Sequence, residues 1–129
     1  MNTTDIPAHY NHVMPYLIVK DAAGAMRFMA EVLGATEKMK HLRDDGHTVM
    51  HGEMTIGGST IMLAEATDQY PPDTAGMFVY VPDADAAYQR ALAMGATSIM
   101  PPADHPYGRS GGVKDPHGNT WWITTHTGQ

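Results

Sequence analysis

Two stretches of this chain follow one plan. Residues 15–36 read PYLIVKDAAGAMRFMAEVLGAT, and residues 77–97 read MFVYVPDADAAYQRALAMGAT. Val19-Lys20-Asp21-Ala22 aligns with Val81-Pro82-Asp83-Ala84, and Gly34-Ala35-Thr36 aligns with Gly95-Ala96-Thr97, with one residue lost between. Each copy is a short apolar run, an Asp, an Ala-rich helical pattern and a Gly stop. A period of about 60 residues is too long for a solenoid unit, and two copies are too few for an array. The repeat predicts one domain over residues 1–129, built from two similar modules at about 13–66 and 76–127, with a linker at about 67–75. A seam between halves is a place where a pocket forms.

Within the first module, Val13–Lys20 reads as a strand. Asp21 is placed to cap a helix over Ala22–Leu33, and Gly34 to end it. Strands follow at about Thr36–Arg43, Thr48–Ile56 and Thr60–Glu65, with Gly57-Gly58 as a hairpin turn. The second module repeats the plan. A strand at Met77–Val81 precedes a helix over Ala84–Met94 capped by Asp83. A short strand at Thr97–Met100 is expected to stop at Pro101-Pro102. Asp104–Gly112 reads as a loop, Gly112–Lys114 as a short strand, Asp115–Asn119 as a tight turn, and Thr120–Thr125 as the last strand.

Composition narrows the function classes. With eight Lys plus Arg and a net charge of −6, a nucleic-acid partner is not expected. No apolar run approaches bilayer-spanning length, and the first dozen residues lack the features of a secretory signal, so no membrane partner is expected. There are no cysteines, which fits a reducing cytoplasm and leaves no thiol chemistry. Eleven Met suit adaptable apolar surfaces.

Pro15–Ala22 with its helix, Met77–Ala84 with its helix, and the ending Asp115-Pro116-His117-Gly118-Asn119-Thr120-Trp121-Trp122 carry a family resemblance. His51-Gly52-Glu53 and the Gly57-Gly58 turn add to it. The chain resembles the vicinal oxygen chelate superfamily of glyoxalases, extradiol dioxygenases, fosfomycin resistance enzymes and bleomycin-binding proteins, closest to its PhnB-like branch. The resemblance implies an α+β fold in which paired βαβββ modules form a cup-shaped mixed sheet, usually in a homodimer. It also implies that metal-using members carry four His or Glu ligands, two per module. Those positions fall here near Met14, Met62, Met77 and Trp122. Thioethers are poor ligands for hard or borderline divalent ions, and indole does not ligate. No metal and no cofactor are therefore expected.

The hairpin supplies a register. With Gly57-Gly58 as the turn, Glu53 faces Met62 and His51 faces Ala64, so both point to the face that carries Met62. By alternation Tyr16, Val79 and Thr124, with His126 beyond them, are expected to point into the same cup. The expected ligand-binding set is Met14, Tyr16, Met62, Met77, Trp122 and Thr124, with Tyr107 and Arg109 from the 104–112 loop. His51 and Glu53 are candidate catalytic residues, a base and its orienter. The plainer alternative is a hydrogen-bonded pair lining the sheet. The expected function is metal-independent binding of a small organic compound, in the manner of a bleomycin-resistance protein. The alternative is a glyoxalase-type lyase or isomerase, or another metal-dependent enzyme of that superfamily, using His51 and Glu53.

Overall fold

A computed structural model describes residues 6–127. In chain order the elements are β1 (Tyr16–Val19), α1 (Ala22–Leu33), β2 (Thr36–Leu42), β3 (Val49–Ile56), β4 (Ser59–Glu65), β5 (Gly76–Tyr80), α2 (Ala84–Ala93), β6 (Thr97–His105), β7 (Gly108–Lys114) and β8 (Thr120–Thr125). The duplicated sequence is a duplicated structure. One sheet has the order β1-β4-β3-β2 and the other β5-β8-β7-β6. In each, the opening strand pairs in parallel with the last strand of its own module. The fold is α+β, with two four-stranded mixed sheets and one helix per module.

The repeated Asp is the helix start in both halves. The Asp21 side chain accepts from the Gly24 amide at 3.0 Å, and that of Asp83 accepts from the Ala86 amide at 3.1 Å. Asp21 itself sits in the left-handed region, at φ 62°. The Glu65 carboxylate adds a second device to α1, accepting from the amides of Asp21 at 2.9 Å and Ala22 at 2.8 Å. These bonds satisfy amides that have no partner inside the helix.

The helices fix which face of each sheet is inward. Leu17, Val19, Met54, Ile61 and Leu63 lie on strands packed with α1, while Val113, Trp121 and Ile123 lie on strands packed with α2, and with Val79 all belong to one apolar core. α1 and α2 touch each other, and the Arg90 guanidinium donates to the Glu31 carbonyl at 3.1 Å. The helix-bearing faces therefore share one interior, and the opposite face of each sheet looks outward. Among the described residues no helix is long and apolar enough to cross a membrane.

One expectation fails in the second module. The segment read as a strand stopped by prolines and then a loop is a hairpin, β6–β7, joined at His105–Gly108. Pro101 and Pro102 are tolerated because β6 is the outer strand of its sheet, where a missing amide proton breaks no ladder. The register slips on both sides of Met100, which accommodates them further. The turn at Asp115 is as expected and is anchored inside. Buried Asp115 accepts from the amides of His117 and Asn119 and from the Trp121 indole at 2.8 Å.

Candidate functional site

The register expected from the two-glycine turn is observed, with Glu53 opposite Met62 and Thr55 opposite Thr60. β1 adds Tyr16 beside Met62 and Ile18 beside Ala64. The outward face of the first sheet thus carries a row Tyr16–Met62–Glu53, with Ile18 and Ala64 beside it and His51 on the same side, next to Glu53 and Tyr16. A register shift between His41 and Leu42 in the β2–β3 pairing breaks the alternation and leaves Met50 exposed while Val49 is buried. A hollow of about 450 Å³ opens on this face, lined by Tyr16, Ile18, Met50, Ala64, Tyr70 and Arg43 among others.

Beside the hollow runs a chain of four polar side chains. The Tyr10 hydroxyl donates to Glu53 Oε1 at 2.7 Å. Glu53 Oε2 lies 2.8 Å from His51 Nε2, and His51 Nδ1 lies 3.2 Å from the Tyr16 hydroxyl. Glu53 is only 2% exposed. Burial pushes its carboxyl up, but hydrogen bonds from Tyr10 and His51, with the charges of His51 and Lys38, outweigh that and hold it below the usual glutamate range. The same bond, with lesser help from desolvation and the Glu53 charge, pushes the Tyr10 phenol up. Against an ionised carboxylate, Nε2 carries an imidazole proton, and Nδ1 is the ring nitrogen turned to the Tyr16 hydroxyl. Tyr10 precedes the first strand, and nothing local in the sequence shows that its arm reaches across to β3.

The outward face of the second sheet is aromatic. Phe78 pairs with Trp122 and Tyr80 with Thr124. Phe78, Tyr80 and Tyr107 are all about half exposed. Phe78 meets Tyr80 edge-on at 5.3 Å and Tyr107 at 6.1 Å, and Tyr107 stacks on His105 at 5.1 Å. Gly112 stands opposite Trp122, where the first sheet has Glu53 opposite Met62. A Cβ at Gly112 would lie 2.4 Å from the Trp122 ring, so the indole occupies the space a side chain would need.

Several expected residues are placed differently. Met77 pairs with Trp121, not Trp122, and so faces the helix side. It lines a separate hollow of about 450 Å³ near the β3–β4 turn, with Ile56, Ile61 and Val79 and with Phe78 and Tyr80 at the edge of the aromatic patch; that hollow has no charged side chain and no histidine in its lining. The repeat itself held the correct reading, since the offset that carries Asp21 onto Asp83 carries Tyr16 onto Phe78 and Ile18 onto Tyr80. Thr124 shares the outward face but is fully buried, with its hydroxyl 2.9 Å from that of Ser110. Arg109 alternates onto the helix side and pairs with Asp85 at 3.2 Å and Asp104 at 3.3 Å, which push its already high pKa further up. It stands apart from the outward hollow. Met14 is half-buried just before β1, and Met62 and Trp122 are half-buried on the outward faces.

These residues do not fit the metal of the metal-using relatives. Among the described residues no three of His, Asp or Glu converge. Both oxygens of Glu53 and both ring nitrogens of His51 already have protein partners.

A duplicated βαβββ fold with an outward hollow defines the class. The chain matches the Glyoxalase/Bleomycin resistance protein/Dioxygenase superfamily over residues 9–123, and it belongs to that family. The uncharacterized protein Mb0911c of Mycobacterium bovis is 34% identical over 119 residues, covering 83% of this chain and 78% of its own. Among solved structures, TioX from Micromonospora sp. ML1 superposes with a TM-score of 0.72 at 24% identity, covering 91% of this chain and 99% of its own. A PhnB protein from Bacillus cereus gives 0.71 at 18% identity, over 89% and 99%. TnmS3, an antibiotic binding protein from Streptomyces sp. CB03234, gives 0.64 at 20% identity, over 91% and 98%. At these identities the structural likeness is one of fold.

Proposed function

We propose that this chain binds a small organic molecule, without a metal ion, in a cup completed by a second copy of itself. One observation carries the reading: the two ligand-suited surfaces of the chain lie on different sheets and share no lining residue. Each is on the face of its sheet turned from the helices, and a second copy supplies the surface that a shared cup needs. Exposed Tyr16, Phe78, Tyr80 and Tyr107 are the kind of apolar surface that marks an interface or a ligand site. A pocket lined by aromatic and thioether groups with a few polar ones suits an organic ligand. TnmS3, an antibiotic binder on the same fold, supports this kind of use. The lack of cysteine supports a cytoplasmic setting.

Sedimentation equilibrium tests the dimer, and a monomer at micromolar concentration would remove it. Titration of aromatic compounds against tryptophan fluorescence tests the cup. Half-buried Trp122 should report binding, Trp121 in the core should not, and Trp122→Phe should abolish the signal. Chelator should leave the affinity unchanged; binding that vanishes on metal removal would overturn the reading.

The array Tyr16–His51–Glu53 favours a second reading, a lyase or isomerase of glyoxalase type. Hydroxyl, imidazole and buried carboxylate stand in series, an order suited to proton transfer at the hydroxyl end. His51→Ala should then abolish turnover while leaving ligand affinity intact. Equal loss of both would assign His51 to binding alone.

A further inference from the structure

The hollow on the outward face of the first sheet contains a cation that the fold does not neutralise. Two charged side chains line it, Arg43 and Glu65. The Glu65 carboxylate is turned to the start of α1, where both oxygens accept backbone amides and the helix terminus offsets its charge. Arg43 donates one Nη2 bond, to the Glu65 carbonyl at 2.9 Å. Among the described residues no carboxylate lies within 4.0 Å of its guanidinium. Asp45, two residues on, is held by its own turn through the amides of His47 and Thr48 and the Thr48 hydroxyl. A bond to a carbonyl orients a guanidinium without cancelling its charge, and its remaining N–H donors keep their planar fork. Exposed Tyr70 and Met50 and the half-exposed Tyr16 flank it, offering flat and polarisable surface.

We propose that this hollow is a site for a flat organic anion, in which Arg43 grips an oxyanion group while the ligand's rings lie against Tyr16, Tyr70 and Met50. This rests on the binding function above and adds the ligand's charge.

Two probes separate the claims. Anilinonaphthalene sulfonate is a flat aromatic anion, and phenyl-naphthylamine has the same rings without the sulfonate. Each is titrated by fluorescence at about 0.15 M salt, where diffuse surface attraction is screened. The proteins are the wild type, Arg43→Gln, Arg43→Lys and Ala64→Trp, the last filling the floor of the hollow. Circular dichroism checks that each is folded. The anion should bind wild type about tenfold more tightly than the neutral probe, the scale of one charge-assisted bond. Arg43→Gln should erase that difference by weakening the anion alone. Arg43→Lys, which keeps charge but loses the fork, should fall between. Ala64→Trp should weaken both probes. If both probes bind and Arg43→Gln changes neither, the anion site is overturned and the binding function stands. If neither binds, or Ala64→Trp has no effect, the hollow is not a ligand site and the anion proposal falls with it.

Discussion

Glu53 is the residue around which the site is organised, and its charge state is written in its partners. Its carboxyl lies below the usual glutamate range in the folded chain. A depressed folded pKa contributes stability that is present above the unfolded value and is lost as pH falls through the folded one. Acid titration of unfolding by urea, followed from pH 7 to pH 3, should therefore show a loss on the acid side. Tyr10→Phe should flatten that loss, because it removes one of the two hydrogen bonds that lower the pKa. An unchanged acid limb in Tyr10→Phe would separate the tyrosine from the Glu53 charge. Three of the four residues were legible in the chain, since the hairpin turn sets the parity of His51 and Glu53 and alternation adds Tyr16. Tyr10 and the order of the relay were not, because they depend on an arm folding back over forty-three residues of sequence separation.

At the scale of elements, the α1 start and the Trp122 strand each make a testable demand. Asp21 combines a side-chain cap with a left-handed backbone. Asp21→Ala should cost about 1–2 kcal/mol by losing the cap and keeping a strained Cβ, whereas Asp21→Gly should cost only a few tenths. Urea unfolding of the two variants checks the order. Gly112→Val should displace the Trp122 indole, because even one added carbon would overlap the ring at 2.4 Å. A shifted tryptophan emission with the fold retained is the expected result, and unaltered emission would mean that the indole has room elsewhere. Asp115→Ala should be among the costlier single changes, at about 3 kcal/mol or more, because it leaves buried donors at Asn119 and Trp121 without an acceptor. The hairpin β6–β7 shows where reading by residue type fails. Pro101-Pro102 is a stop signal in a central strand and is harmless on an outer one, and strand order is not written locally.

For the molecule as a whole, the question is what covers the outward faces. Phe78→Asp combined with Tyr80→Asp should leave the monomer folded, since both side chains are about half exposed. The double change should shift sedimentation toward the monomer and abolish fluorescence titration by aromatic compounds together. Loss of binding with the dimer intact would place the ligand on the second sheet without a shared cup.

The repeat determined the duplicated plan, its two Asp residues the helix starts, and the Gly57-Gly58 turn the hairpin register, each from neighbours within a few residues. The outward set on the second sheet also lay in the repeat, and strict use of its offset finds Phe78 and Tyr80. Other features were decided only by tertiary structure. They are the burial of Thr124, the capture of Arg109 by Asp85 and Asp104, the reach of Tyr10, and the isolation of Arg43 in a hollow. Each depends on which distant strand, arm or helix end arrives beside it, and packing of the two helices into one core decides that.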